Sequence, residues 1–168
     1  MVFGFFKKKK HQQNVRVLED GSDAESGIRF SSELVPRLKS DHQELLVIYQ
    51  AIQKRFAEGD LGGTVSKLAD FRYLLQDHLL TENVRFYLYL SQQFAEDETN
   101  SELIRGFRQE MDAIGRIVLR FLDRYEKMAD DHGLANSFLQ EFGEIGAVLT
   151  KRIKKEEQTL YPLYLPHY

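Results

Sequence analysis

From Phe30 onward, apolar side chains recur at alternating intervals of three and four residues, the spacing that aligns one face of an α-helix. Val35, Leu38, Leu45, Tyr49, Ile52 and Phe56 form a first seam, complete once His42 is counted in it. Leu68, Phe71 and Leu75 open a second, which runs through His78 and Glu82 to Phe86 and Tyr89. The third is uninterrupted by charge: Ile104, Phe107, Met111, Ile114, Val118, Phe121, Tyr125 and Met128. A fourth starts at Phe138, Phe142, Ile145 and Leu149, turns charged at Arg152 and Glu156, and resumes at Leu160 and Leu163.

The breakers EGDLGG at 58–63, EDETNS at 96–101 and DDHG at 130–133 are short helix-to-helix connections. Ser32 is the expected N-cap of the first helix, Pro36 still lies in its opening turn, and Pro162 is expected to end the fourth. Four long amphipathic helices on short loops pack most simply as an up-down-up-down antiparallel four-helix bundle, so the expected fold class is all-α. Residues 1–29, polar and irregular around DGSDAESG, are expected to form a flexible tail ahead of a bundle domain at 30–168.

In such a bundle the start of the first helix, the end of the second, the start of the third and the end of the fourth share one end. Counted from that end at about 1.5 Å per residue, His42, Glu82, Met111 and Arg152 fall at one depth, and His78 and Glu156 within about a turn of it. A lone histidine on an apolar face is more often a satisfied core residue than a ligand, and Met111 at helical spacing is ordinary core material. Glu82 and Glu156 are different, because a buried carboxylate costs several kcal/mol unless it is paired or bound to a metal. Two arrangements meet that demand: a metal held by the histidines and glutamates, or a metal-free network in which Arg152 pairs with the carboxylates. Asp77 and Glu157, one residue off the seams, are expected to face outward, with Glu157 also able to swing toward the site. His11, His132 and His167 lie in tail or loop and are expected to be solvated. Tyr49, Tyr73, Tyr87, Tyr89 and Tyr161 are read as packing residues.

Composition narrows the chemistry. The 168 residues contain no cysteine, so any metal must be held by His, Asp and Glu, and a reducing cytoplasm is the expected compartment. The net charge of -3 and the lack of a basic, aromatic-studded helix face argue against nucleic acid as a partner. MVFGFFKKKK places its apolar cluster before its lysines, the reverse of a secretory signal, and is expected to give at most a weak contact of residues 1–10 with an anionic membrane surface. No apolar run is long enough to span a bilayer. A nucleophile with an adjacent base, a phosphate-binding loop and an organic-cofactor motif are all missing, so an enzyme is not expected.

The stretches KSDHQELL around His42, LLQDHLLTENVRFYLYL around His78 and Glu82, and LTKRIKKEEQTLYPLY around Glu156 resemble the hemerythrin-like, cation-binding four-helix bundles over about residues 30–165. In that family two His-x3-Glu units and two further histidines hold a pair of non-heme irons. The resemblance implies His42, His78, Glu82 and Glu156 as metal ligands, with O₂ or another small molecule at the metal. It also marks two departures: Met111 stands where the family has a histidine, and Arg152 where the second His-x3-Glu unit begins. Both belong, by the resemblance, to the same iron. The expectation is a reduced site, mononuclear or replaced by an Arg-carboxylate network, with one non-heme iron per chain (Mn or Zn as substitutes) or none. Sensing or regulation is the implied role, and a metal-free scaffold for protein or membrane contact is the alternative.

Overall fold

The structure is a computed structural model that describes residues 27–166. The proposed membrane contact at 1–10, most of the tail, and His11 and His167 lie outside the described residues. Among the described residues, five α-helices build four rods: α1 (Leu34–Ala57), α2 (Leu61–Thr81) continued by α3 (Tyr87–Gln93), α4 (Glu98–Tyr125) and α5 (Ala135–Lys155). Contacts α1–α2, α2–α4, α4–α5 and α5–α1 close the ring of a four-helix bundle, as the seams predict. None of the helices is long and apolar enough to cross a membrane, among the described residues.

The connections form where the breakers place them. After α1, the Gly59 N–H bonds the Phe56 carbonyl and the Asp60 N–H the Arg55 carbonyl, each at 3.0 Å, a paired closure that needs a left-handed residue. Gly59 supplies it at φ 75°. Asp60 then caps α2 by accepting from Gly63 N–H at 2.8 Å, and Asp97 caps α4 through Asn100 N–H at 3.0 Å. Ser32, by contrast, does not cap α1. The N-cap position is Glu33, already helical at φ -84° and ψ -12°, with no side-chain bond. Entry is fixed instead by Leu34 N–H on the Ser31 carbonyl at 3.2 Å and by Ser31 N–H on the Tyr164 hydroxyl at 3.0 Å. That turn denies Ser32 the extended backbone a cap requires. Pro36 lies in the first turn of α1 and Pro162 in the short Tyr161–Leu163 turn that ends the last rod, both as expected.

Two rods are interrupted by a single π-helical turn, Glu82–Phe86 between α2 and α3, and Glu156–Leu160 after α5. Each closes with an i to i+5 bond, Tyr87 N–H to the Glu82 carbonyl and Tyr161 N–H to the Glu156 carbonyl. The cause is visible in the seams. Along α1 and α4 the core spacing alternates three and four without exception, whereas 78, 82, 86 and 152, 156, 160 take two fours in succession. Each four advances the stripe by about 40° round an α-helix. A turn with one extra residue restores Phe86 and Leu160 to the core, where both are fully buried.

The apolar interior is in two pieces. One, from Leu45, Leu75, Met111 and Leu149 to Phe138, Phe142 and Tyr125, fills the half toward the α1–α2 loop. The other holds Leu38, Phe86, Phe107, Leu160 and Tyr164. Between them lie His42, His78, Glu82, Arg152 and Glu156, all buried. In the first piece Tyr49 packs on Phe142 with ring centroids 4.1 Å apart, and its hydroxyl bonds the Phe142 carbonyl at 3.0 Å. Gly146 makes room for it, since a methyl there would collide with the Tyr49 ring and hydroxyl. Overpacking costs about 1–3 kcal/mol, more than the helical propensity of about 1 kcal/mol that alanine adds. Gly146→Ala is therefore expected to lower stability in urea titrations despite being a helix-favouring change.

Candidate metal centre

Every rod contributes ionisable side chains to the polar layer, α4 only through Glu110 at its edge. From α1 comes His42, 1% exposed. Its Nδ1 bonds Glu157 Oε1 at 2.8 Å, and its Nε2 faces Glu156 Oε2 at 3.3 Å. From α2 comes His78, with Nδ1 against Asp41 Oδ2 at 3.4 Å and Nε2 toward Glu82 Oε2 at 3.7 Å. The imidazole centroids are 4.7 Å apart. Both histidines thus have a carboxylate on Nδ1, the arrangement that turns Nε2 inward as a lone-pair donor. One potential ligand atom from each of His42, His78, Glu82 and Glu156 lies within 4.8 Å of the other three.

The glutamates divide their oxygens alike. Arg152 Nε donates to Glu156 Oε1 at 2.5 Å, and the Tyr161 hydroxyl donates to Glu82 Oε1 at 2.8 Å. Their Oε2 atoms are left for the histidines. Glu82 Oε2 has no hydrogen-bond partner although it is fully buried. An orphaned acceptor there, with two inward-facing imidazole nitrogens and a second carboxylate oxygen, fits a divalent or trivalent cation in both charge and donor type.

The electrostatics follow from the same contacts. Burial, and then the Glu156 charge, push the Glu82 carboxyl up to about 8. Burial acts the same way on Glu156, but the bond from His42 and the Arg152 guanidinium outweigh it and hold that carboxyl below its usual range. Burial opposes protonation of His42 too, yet its bonds to Glu156 and Glu157 prevail and raise it. His78 is lowered, by burial and then by repulsion from His42. The pair of carboxylates therefore carries one firm charge and one that needs a cation or a proton.

Arg152 fills the other half of the layer. Only 3% exposed, it bonds Glu156, Glu110 Oε2 through Nη1 at 3.0 Å and the Tyr87 hydroxyl through Nη2 at 2.8 Å, with its guanidinium 4.8 Å from the Phe107 ring centroid. Lys155 Nζ joins Glu110 at 2.7 Å at the surface. Met111, 7% exposed, packs in the core beside this half.

A sequence model of the hemerythrin HHE cation-binding domain matches residues 33–164, most of the chain. The chain belongs to that family. No curated protein and no solved structure matches it. Buried His and Glu donors in a hemerythrin bundle suit a metal-binding site.

The expected site residues His42, His78, Glu82, Glu156, Arg152 and Met111 are all found in or beside one layer. Asp77 faces outward to Arg37 at 2.8 Å, and His132 is exposed in its loop, as expected. Glu157 takes the inward of its two expected positions. It turns inward to His42 because it stands on the π-helical turn, whose extra residue rotates the position after Glu156 toward α1. Asp41, Glu110, Tyr87 and Tyr161 were not anticipated at the site. Tyr87 and Tyr161 are more than packing residues, since each hydroxyl bonds a buried charged group.

Proposed function

We propose that this hemerythrin-family bundle binds a single non-heme metal, iron in the first place, through His42, His78, Glu82 and Glu156, and works as a sensor or regulator rather than as an enzyme. The observation that carries this reading is the asymmetry of the layer. On one side, two imidazole nitrogens and an orphaned carboxylate oxygen converge. On the other, Arg152 already supplies a cation, held by Glu156, Glu110 and Tyr87. A guanidinium and a second metal do not share that volume. When bound, the metal supplies a redox-active Lewis acid; the chain's residues do the rest.

Glu157 and Asp41 orient the two histidines, and Arg152 and Tyr161 each occupy one glutamate oxygen, so that Glu82 and Glu156 present the other. Between α1 and α5, Leu46, Tyr49, Gly146, Leu149 and Thr150 line a narrow cavity of about 30 Å³ that reaches His42, His78 and Glu156. Its size and apolar walls favour a diatomic ligand over a metabolite. With no nucleophile-base pair beside it, sensing is the better-supported role.

Elemental analysis of protein purified without added metal is expected to give about one transition metal per chain, and His42→Ala essentially none. Two irons per chain would overturn the mononuclear reading. No metal at all would favour the bundle as a metal-free interaction scaffold.

A further inference from the structure

The two π-helical turns carry the same pattern, His78-x3-Glu82-x4-Tyr87 and Arg152-x3-Glu156-x4-Tyr161. In an α-helix a residue five beyond the glutamate points about 140° away from it. The π turn takes up that difference, and both tyrosines come to the glutamates' side of the rod, 1% and 3% exposed. Their partners differ. The Tyr87 hydroxyl is taken by Arg152 Nη2 at 2.8 Å. The Tyr161 oxygen instead lies 2.8 Å from Glu82 Oε1 and 3.3 Å from His42 Nε2.

We propose that Tyr161 is a fifth metal ligand, a phenolate oxygen that selects ferric iron over softer divalent ions. This rests on the metal-binding reading above and deepens it. Two donor atoms each about 2.1 Å from one metal stand about 3 Å apart, close to the 3.3 Å that Tyr161 Oη keeps from His42 Nε2, while its bond to Glu82 Oε1 holds it beside the carboxylate whose Oε2 is free. The ring is held there on three sides. It lies parallel to the His42 ring at 5.7 Å and 8°, meets Phe86 edge-on at 5.1 Å, and is anchored through its backbone N–H on Glu156.

The donor set becomes two imidazoles and three anionic oxygens, which balances a trivalent ion and matches the preference of hard cations for oxygen. On binding, the Tyr161 O–H bond is replaced by an oxygen–metal bond. The proton leaves to the buffer, as it does when other protonated ligands take up a metal. No electron is transferred when the iron is supplied as ferric ion.

The test loads metal-stripped protein with one equivalent of ferric iron as its nitrilotriacetate chelate, removes excess chelate, and measures iron content, visible absorption and resonance Raman spectra. The wild type is expected to show a phenolate-to-iron charge-transfer band with tyrosine ring modes that shift when the protein is made with ring-deuterated tyrosine. Tyr87→Phe keeps the band. Tyr161→Phe loses it while still binding iron, about tenfold or more weakly. The isotope shift in the wild type, with the band retained in Tyr87→Phe, carries the assignment if Tyr161→Phe does not fold. One iron per chain with no such band would overturn the phenolate ligand and leave the metal site standing; no iron bound would overturn both.

Discussion

Replacing Arg152 with methionine is expected to destabilise the metal-free protein by about 3–5 kcal/mol, the usual result of removing one partner from a buried ion pair. The guanidinium makes three directional bonds inside the bundle, to Glu156, Glu110 and Tyr87, and lies over the Phe107 ring. Methionine fills much of the volume but donates nothing. Glu156 Oε1 and the Tyr87 hydroxyl then lose their partner in a region where neither reaches solvent. The nearby Glu82 carboxyl, already raised by Glu156, faces a second charge with less positive compensation. Arg152→Lys restores the charge but not the fork of donors, and is expected to recover only part of the loss. The measurement is urea denaturation in the presence of a chelator. A change below about 1 kcal/mol for Arg152→Met would mean that the guanidinium is no more than a surface-grade partner, and the argument for it as the second cation would fail.

The rods, their order and the depth of the polar layer were legible because one rule governs them: a helix buries every third or fourth residue, and a bundle fixes which ends meet. His42 and Glu82 could be placed at one height by counting alone. What that rule misses is also systematic. Glu157 and Tyr161 lie one and five residues after Glu156, and Tyr87 five after Glu82, positions that an unbroken α-helix turns away from the seam. All three face the site because the rod contains a π turn there. The signal was present as two successive four-residue steps, 78 to 82 to 86 and 152 to 156 to 160, and a strict count of spacing would have found it. Asp41 and Glu110 had no such signal. Both sit beside the seam and reach the layer with their side chains, a matter of rotamer and neighbour rather than of period. Ser32 failed as a cap for a third reason, a long-range bond from Ser31 to Tyr164 that no local pattern contains.

Glu82 is where binding and stability pull in opposite directions, and Glu82→Gln separates them. In the metal-free fold its carboxyl is pushed up to about 8, well above the usual carboxylate range, chiefly by burial and then by Glu156. The sign follows from linkage: a group that holds its proton more tightly when folded stabilises the fold fully below the unfolded value. That contribution is lost as pH rises through the folded value. Metal-stripped wild type is therefore expected to lose, through Glu82 alone, on the order of 4 kcal/mol between pH 5 and pH 9. The other titrating groups of the layer, His42 and His78 among them, remain in both proteins, so the difference between the two stability curves reports Glu82 together with its coupling to Glu156 and His42. Glutamine cannot ionise, and its amide oxygen still accepts from the Tyr161 hydroxyl. The variant should match wild type near pH 5 and exceed it by several kcal/mol at pH 9. With saturating metal the order reverses, because wild type gains the free energy of ion binding and the variant has lost the oxygen that no protein donor satisfies. Parallel curves for the two metal-free proteins would show that Glu82 is not the strained carboxylate of this layer, and the case for a cation among these four side chains would lose its main electrostatic support.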